Sequence, residues 1–405
     1  ALPICSRHSQ WLVILKFRGR GNKNMKKLMS ILAFFLVTST ALTGCGNKES
    51  LYSDKGNVFR KVLTQDMSSL DTGLITEEIS FEVTAQAFEG LYVLGRGDKA
   101  ELGVAQDFPK KSNGGKTLTV KLKKDAKWSN GDPVTAQDFV YAWRKVVNPK
   151  TGSEFAYIMN DIKNASQINT GKKPVKDLGI KALDSHTLKI DLEKPIPYIN
   201  QLLALNTFDP QNEKIAKKYG ESYGTKANKA VYNGPFKVDQ WKPEDKIMLS
   251  KNDKYWDRDK VKLDKVNYKV LKDQQAGASL YDTGSIDDTT ITADQVNKYK
   301  KSSGLKYRLT SGTFFIKMNE KEFPAFKNKN LRLAIAQSIN KQGFVDSVKN
   351  NGSTPANTFT AKGVAKSPNN KDFASTIDSE LKYNPKSAKS HWDKAKNELG
   401  KNQIA

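Results

Sequence analysis

An α/β fold is predicted by three features of the sequence. Segments of alternating apolar and polar residues recur along the chain, segments of helical periodicity lie between them, and turn residues separate the two kinds. The length, 405 residues with 38% hydrophobic side chains, leaves room for two or three domains with sizeable cores and excludes a disordered, collagen-like or disulfide-stapled chain.

The first recognisable element is a leader. Met25-Lys26-Lys27 is followed by the apolar run Leu28 to Val37 and by the small and polar residues Thr38-Ser39-Thr40-Ala41. A basic start, about ten apolar residues and a small-residue end are the parts of a secretory signal peptide, and the run is too short to span a membrane comfortably. Leu42-Thr43-Gly44-Cys45 then resembles the lipobox of bacterial lipoproteins, which implies diacylation of Cys45 and cleavage just before it. Two or three acyl chains, at about 0.8 kcal/mol per buried CH₂, hold a protein at a membrane where one would not. Residues 1–24 precede a complete leader and are expected to be a spurious upstream extension; 25–44 form the signal peptide and 45–56 a polar tether. Cys5 is the other cysteine, and it lies upstream of the leader, so no disulfide is available after processing.

Strands and helices follow in alternation. Val58 to Leu63 reads as a strand, and Ser80 to Leu91 as a helix with Phe81, Ala85, Phe88 and Leu91 on one face. Leu118, Val120 and Leu122 alternate with polar residues in a half-buried strand, and Ser129-Asn130-Gly131-Asp132-Pro133 is a turn. Thr135 and Asp138 have capping-box spacing, and the helix they open carries Phe139, Ala142, Trp143 and Val146 on one face before Asn148-Pro149. Strands at 179–183 and 187–192 flank the turn Asp184-Ser185-His186. Further strands carry Phe236 and Val238, Ile247 to Leu249, and Val266, Tyr268 and Val270. Asn330 is the expected cap of a helix with Leu331, Ala334, Ile335 and Ile339. The last helix, 388–399, carries Trp392, Ala395 and Leu399, with Gly400 at its end. Residues 361–370 read as a loop.

Charge and motifs narrow the function. The net charge is +24, and seven of those charges lie in residues 1–44, which contain no acid. The remaining +17 is dispersed as single lysines among acids, as in Lys251-Asn252-Asp253-Lys254-Tyr255-Trp256-Asp257, which describes a solvated surface suited to anionic membrane and wall surroundings and not a nucleic-acid site. His186 and His391 have no ligand-spaced partners, so no metal and no cofactor is expected. No nucleophile elbow, P-loop or dinucleotide fingerprint is present, and the chain does not read as an enzyme.

Several stretches carry a resemblance. Ser69-Leu70-Asp71, Phe88-Glu89-Gly90-Leu91-Tyr92, Lys127-Trp128 through Val140, Asn233-Gly234-Pro235-Phe236-Lys237, Lys251 to Asp257 and Phe326 to Asn340 together resemble the family 5 extracellular solute-binding proteins of oligopeptide-binding type. Trp128, Phe139, Trp143, Tyr255 and Trp256 within them read as core residues, so the signature identifies a scaffold and not a ligand.

The resemblance implies a two-lobed α/β fold of the type II periplasmic-binding-protein kind, closing by hinge bending around a peptide. It places the first lobe at 57–305 with an inserted α+β subdomain at about 105–230, and part of the second lobe at 306–405. Matched with the family's peptide-contacting segments are Thr76, Glu77, Glu78 and Ile79; Thr290, Ile291 and Thr292; and Gly312, Thr313, Phe314 and Phe315, with Phe155 at a position near the ligand. Glu77 and Glu78 stand where enterobacterial relatives have small or apolar residues, which either favours basic peptides or simply faces solvent. Relatives run longer and place the acidic anchor for the peptide α-amino group beyond position 405. The expectation is thus a fragment with an incomplete second lobe whose segment 45–405 does not bind peptide normally. The implied partners are oligopeptides, the permease and ATPase subunits of an ABC importer, and the membrane through Cys45, with no nucleic acid and a monomeric state; the implied place is the outer face of a Gram-positive cytoplasmic membrane. Alternatives are a receptor of this fold for another solute such as nickel, a dipeptide, an oligosaccharide or a peptide pheromone, or a surface enzyme or adhesin.

Overall fold

A computed structural model describes residues 56–95, 98–308 and 312–400. The extension 1–24, the leader 25–44, Cys45 and all of the tether but Gly56 lie outside the described residues.

Among the described residues, two four-stranded sheets organise the chain. The first has the order β1-β10-β9-β8 and is made of β1 (Val58–Leu63), β8 (Phe236–Lys242), β9 (Lys246–Lys251) and β10 (Lys265–Val270). β10 runs parallel to β1, from Val58 opposite Lys265 to Leu63 opposite Val270, and antiparallel to β9, which is in turn antiparallel to β8. A parallel bridge between Lys61 and Asp288 extends the sheet beyond β1. The second sheet is antiparallel, order β4-β5-β7-β6, from β4 (Lys110–Ser112), β5 (Thr117–Lys121), β6 (Ile180–Asp184) and β7 (Thr187–Asp191). β2 (Tyr92–Leu94) and β3 (Ala100–Leu102) form a hairpin. Leu118 lies opposite Ile190 and Val120 opposite Leu188, and all four are buried, so the alternation seen in the sequence is the inward face of this sheet.

Six helices matter to the argument: α1 (Glu78–Ala87), α2 (Ala136–Val147), α3 (Glu213–Tyr219), α4 (Gln274–Asp282), α5 (Lys329–Ser338) and α6 (Pro385–Leu399). α2 begins with the predicted capping box. Asp138 accepts hydrogen bonds from the Thr135 backbone at 2.8 Å and from its hydroxyl at 3.0 Å. Its predicted face is fully inside, and Trp143 donates to the Phe208 carbonyl at 2.9 Å while meeting the Phe208 ring edge-on at 5.0 Å. One core runs through both sheets, joining Leu118 and Ile190 with Leu249, Val266 and Tyr268. A second, small cluster of Ala325, Leu331 and Ala395 lies where α5 meets α6.

Several expectations change. Ile339 lies beyond α5, which ends at Ser338, and Trp392 of α6 is exposed. α1 ends at Ala87, because Phe88 takes an extended conformation (φ −121°, ψ 155°) and carries Phe88 and Leu91 into the core without a helix. The buried face of α1 is therefore Ser80, Val83, Thr84 and Ala87, while Ala85 is exposed. α5 is capped by Asn328, whose side chain accepts from Leu331 N at 2.9 Å; Asn330 instead reaches Glu398 and His391 on α6. Tyr255 and Trp256 are only half-buried, with their polar ends donating to the Glu89 carboxylate.

Candidate functional site

α1 is fixed on the first sheet at its middle and at its last residue. Lys61 of β1 pairs with Glu82 at 2.8 Å, and Gly234 N donates to Ala87 O at 2.9 Å, which sets the end of α1 beside the start of β8. The Gly234 position is held by close approach, since a Cβ there would meet Ala87 and Phe88 backbone at under 3 Å. β8 lies two antiparallel steps from β10 and so shares the direction of β1. The start of α1 thus lies toward the edge where β1 ends.

That edge collects two of the three expected peptide-contacting segments. Thr76 and Glu78 are exposed there, and Glu77 and Ile79 half-buried. Glu77 is consumed locally: it accepts from Ser68 N at 3.0 Å, from Thr76 N at 3.2 Å and from the Ser80 hydroxyl. Burial pushes its carboxyl up, but the bonds from Ser80 and Ser68 outweigh burial and hold it below its ordinary value. Phe155 joins the group by stacking on Phe81 of α1, ring centres 5.9 Å apart and planes 10° from parallel. On the other side of β1, Val62 N donates to Asp288 O at 3.2 Å, and Thr290, Ile291 and Thr292 continue past the end of β1. Thr292 binds Gln295 through both its backbone N–H (3.0 Å) and its hydroxyl (3.1 Å), and Asn350 donates to Ala293 O at 2.9 Å, tying this segment to the region before α6.

The third segment stands apart. Gly312 is exposed, Thr313 half-buried, and Phe314 and Phe315 are 87% and 65% exposed. Lys349 lies over the Phe314 ring at 4.6 Å, and Phe315 meets Phe359 at 5.9 Å. Among the described residues no hydrogen bond, ion pair or ring contact links Gly312–Phe315 to the residues around α1.

A buried polar node escaped the sequence reading. Glu89 accepts from Trp256 Nε1 at 2.7 Å and from the Tyr255 hydroxyl, while Lys123 Nζ lies 3.9 Å from the Trp256 ring centre and donates to Ala105 O at 2.7 Å. Burial raises the Glu89 carboxyl to about 7, against the pull of Tyr255, Trp256 and Lys123. The only signal was that Glu89 and Trp256 sit in two separate stretches of the resemblance. A second node holds Asp71, which accepts from Lys145 Nζ at 2.6 Å and Gln211 Nε2 at 2.6 Å. A surface concavity of about 450 Å³ lies at the starts of α2 and α3, lined by Asp132, Thr135, Asp138, Asn212, Glu213 and Lys217, and none of the candidate peptide contacts borders it. His186 and His391 are half-buried; His391 pairs with Asn330 at 2.8 Å, and no group of three metal-ligating side chains exists among the described residues.

In sheets that hold parallel strands, ligands commonly lie beyond the carboxyl ends of those strands, which is the edge where the candidate segments 76–79 and 290–292 meet. The chain belongs to the bacterial extracellular solute-binding proteins, family 5, whose middle-region model matches residues 99–405. The chain is 34% identical over 392 residues to a dipeptide-binding protein of Lactococcus lactis subsp. cremoris, covering 94% of this chain and 70% of that protein. It is similar to the substrate-binding domain of an oligopeptide ABC transporter from Bacillus anthracis (42% identity, TM-score 0.74), over 86% of this chain and 68% of that one. Listeria monocytogenes OppA bound to peptide is matched at 39% identity and a TM-score of 0.75, over 86% and 69% of the two chains. The mixed α/β architecture is consistent with the two-lobed fold of these receptors.

Proposed function

We propose that the chain is an oligopeptide receptor of an ABC importer, anchored through lipid on Cys45 to the outer face of a Gram-positive cytoplasmic membrane and acting as a monomer. The observation that carries the reading is the convergence of Thr76–Ile79, Phe155 and Thr290–Thr292 at the edge where β1 ends. In this reading residues 57–305, with the insertion at about 105–230, form the first lobe and 306–405 belong to the second. An extended peptide lies along the edge with its main chain recognised by backbone groups, which gives affinity independent of sequence. Its side chains meet hydrated pockets in which water adapts to each. Hinge closure brings Gly312–Phe315 onto the ligand from the second lobe and marks the loaded receptor for the permease and ATPase subunits.

The test is mass spectrometry of ligands released from the protein purified from its source organism. A mixed population of short peptides is expected. A single sugar, a metal ion or no ligand at all would reject the reading. Incorporation of labelled palmitate, abolished in Cys45→Ala, tests the anchor.

A further inference from the structure

Three rings make a shelf beside the start of α1. Phe81 and Phe155 are stacked, and Tyr157 meets Phe155 edge-on at 6.0 Å and 81°. Phe81 and Phe155 are half-buried and Tyr157 is 59% exposed, so the shelf presents ring surface to solvent at the edge where the peptide is placed. Glu78 is three residues before Phe81 on α1, the spacing that makes side chains neighbours on a helix surface. Glu154 adjoins Phe155 in the chain.

Glu78, one helical turn before Phe81, and Glu154, the chain neighbour of Phe155, differ from Glu77. Glu77 is spent on Ser68, Thr76 and Ser80, whereas Glu78 and Glu154 are exposed and make no ion pair or side-chain hydrogen bond among the described residues. Ring faces attract cations, and a carboxylate at the rim adds an ion pair to the same charge. The shelf is therefore complementary to a cation that also has an apolar stem.

We infer that the shelf of Phe81, Phe155 and Tyr157, with Glu78 and Glu154 beside it, receives a lysine or arginine side chain of the bound peptide, an assignment that rests on the oligopeptide-receptor reading above. Lysine supplies a four-carbon stem for the rings and an ammonium for the carboxylates. Together the two contacts favour the cation over a neutral side chain of equal length by about tenfold.

The experiment is calorimetry of the full-length receptor with pentaalanine peptides carrying one lysine at each position in turn, and with norleucine counterparts. At one position lysine should bind about tenfold tighter than norleucine, and the ratio should shrink as salt rises. In Glu78→Gln and in Glu154→Gln the ratio should fall toward one. Phe155→Leu, which keeps apolar volume without a ring face, should lower it as well. Equal binding of the lysine and norleucine series overturns this inference alone. A ratio that survives in both glutamine variants also overturns it. If neither series binds, the receptor reading falls and this inference with it.

Discussion

Glu89 puts a carboxyl where water does not reach, and the consequence is a stability that depends on pH. Its ordinary value of 4.5 is raised to about 7, chiefly because burial penalises the charge. A carboxyl whose folded value is raised holds its proton more tightly in the fold than in the unfolded chain. Its contribution is fully present below about pH 4.5 and is lost as pH rises through 7, in total about 3 kcal/mol. Glu89→Gln is neutral throughout, so urea unfolding at pH 5 and pH 8 should show the gap between wild type and variant changing by about that amount. A gap independent of pH would refute the assignment. Asp71 is paired with Lys145, so Asp71→Ala strands Lys145 beside Gln211 and should cost about 3 kcal/mol at pH 7 by urea unfolding. Neither node was legible in the sequence, since Glu89 and Tyr255 are 166 residues apart and no local pattern encodes their meeting. The capping pair Thr135 and Asp138 was legible because the partners are three residues apart.

Among the elements, α2 shows what periodicity captures. Its inward residues recur with the helical period, its start has a hydroxyl and a carboxylate in capping-box spacing, and the structure reproduces both. Thr135→Ala should cost about 1 kcal/mol, and Trp143→Ala roughly 3–5 kcal/mol, because the ring leaves a void against Phe208. Thermal unfolding followed by circular dichroism ranks the two; equal effects would deny the packing role of Trp143. α1 shows what periodicity misses. Phe81, Ala85, Phe88 and Leu91 are spaced as a helical stripe, yet the close approach of Gly234 to Ala87 ends the helix and delivers two of them by extended chain. The small residues Ser80, Thr84 and Ala87 that face the core carry too little hydrophobicity to announce themselves.

On the scale of the molecule, burial is unevenly shared. The large core joins both sheets, whereas α5 and α6 are held by Ala325, Leu331 and Ala395 with a few half-buried neighbours. Local opening free energy follows buried apolar contact, so hydrogen exchange should find amides of α2 protected to the global limit and those of α5 and α6 exchanging earlier. Identical protection in α2 and α6 would contradict the division. The alternation of strands and helices made the α/β class readable from the sequence. The pairing of β1 with β10 was not, because a parallel partner can lie anywhere along the chain.

That pairing also sets a clock for folding. Asn57, at the foot of β1, hydrogen-bonds Asp264, 207 residues later. At about 5–20 residues per second, synthesis of the intervening chain takes roughly 10–40 s, during which β1 has no parallel neighbour to join. The first sheet therefore cannot close before Val270, the last residue of β10, has been made, and loop-closure entropy makes its formation a late and slow step even after that.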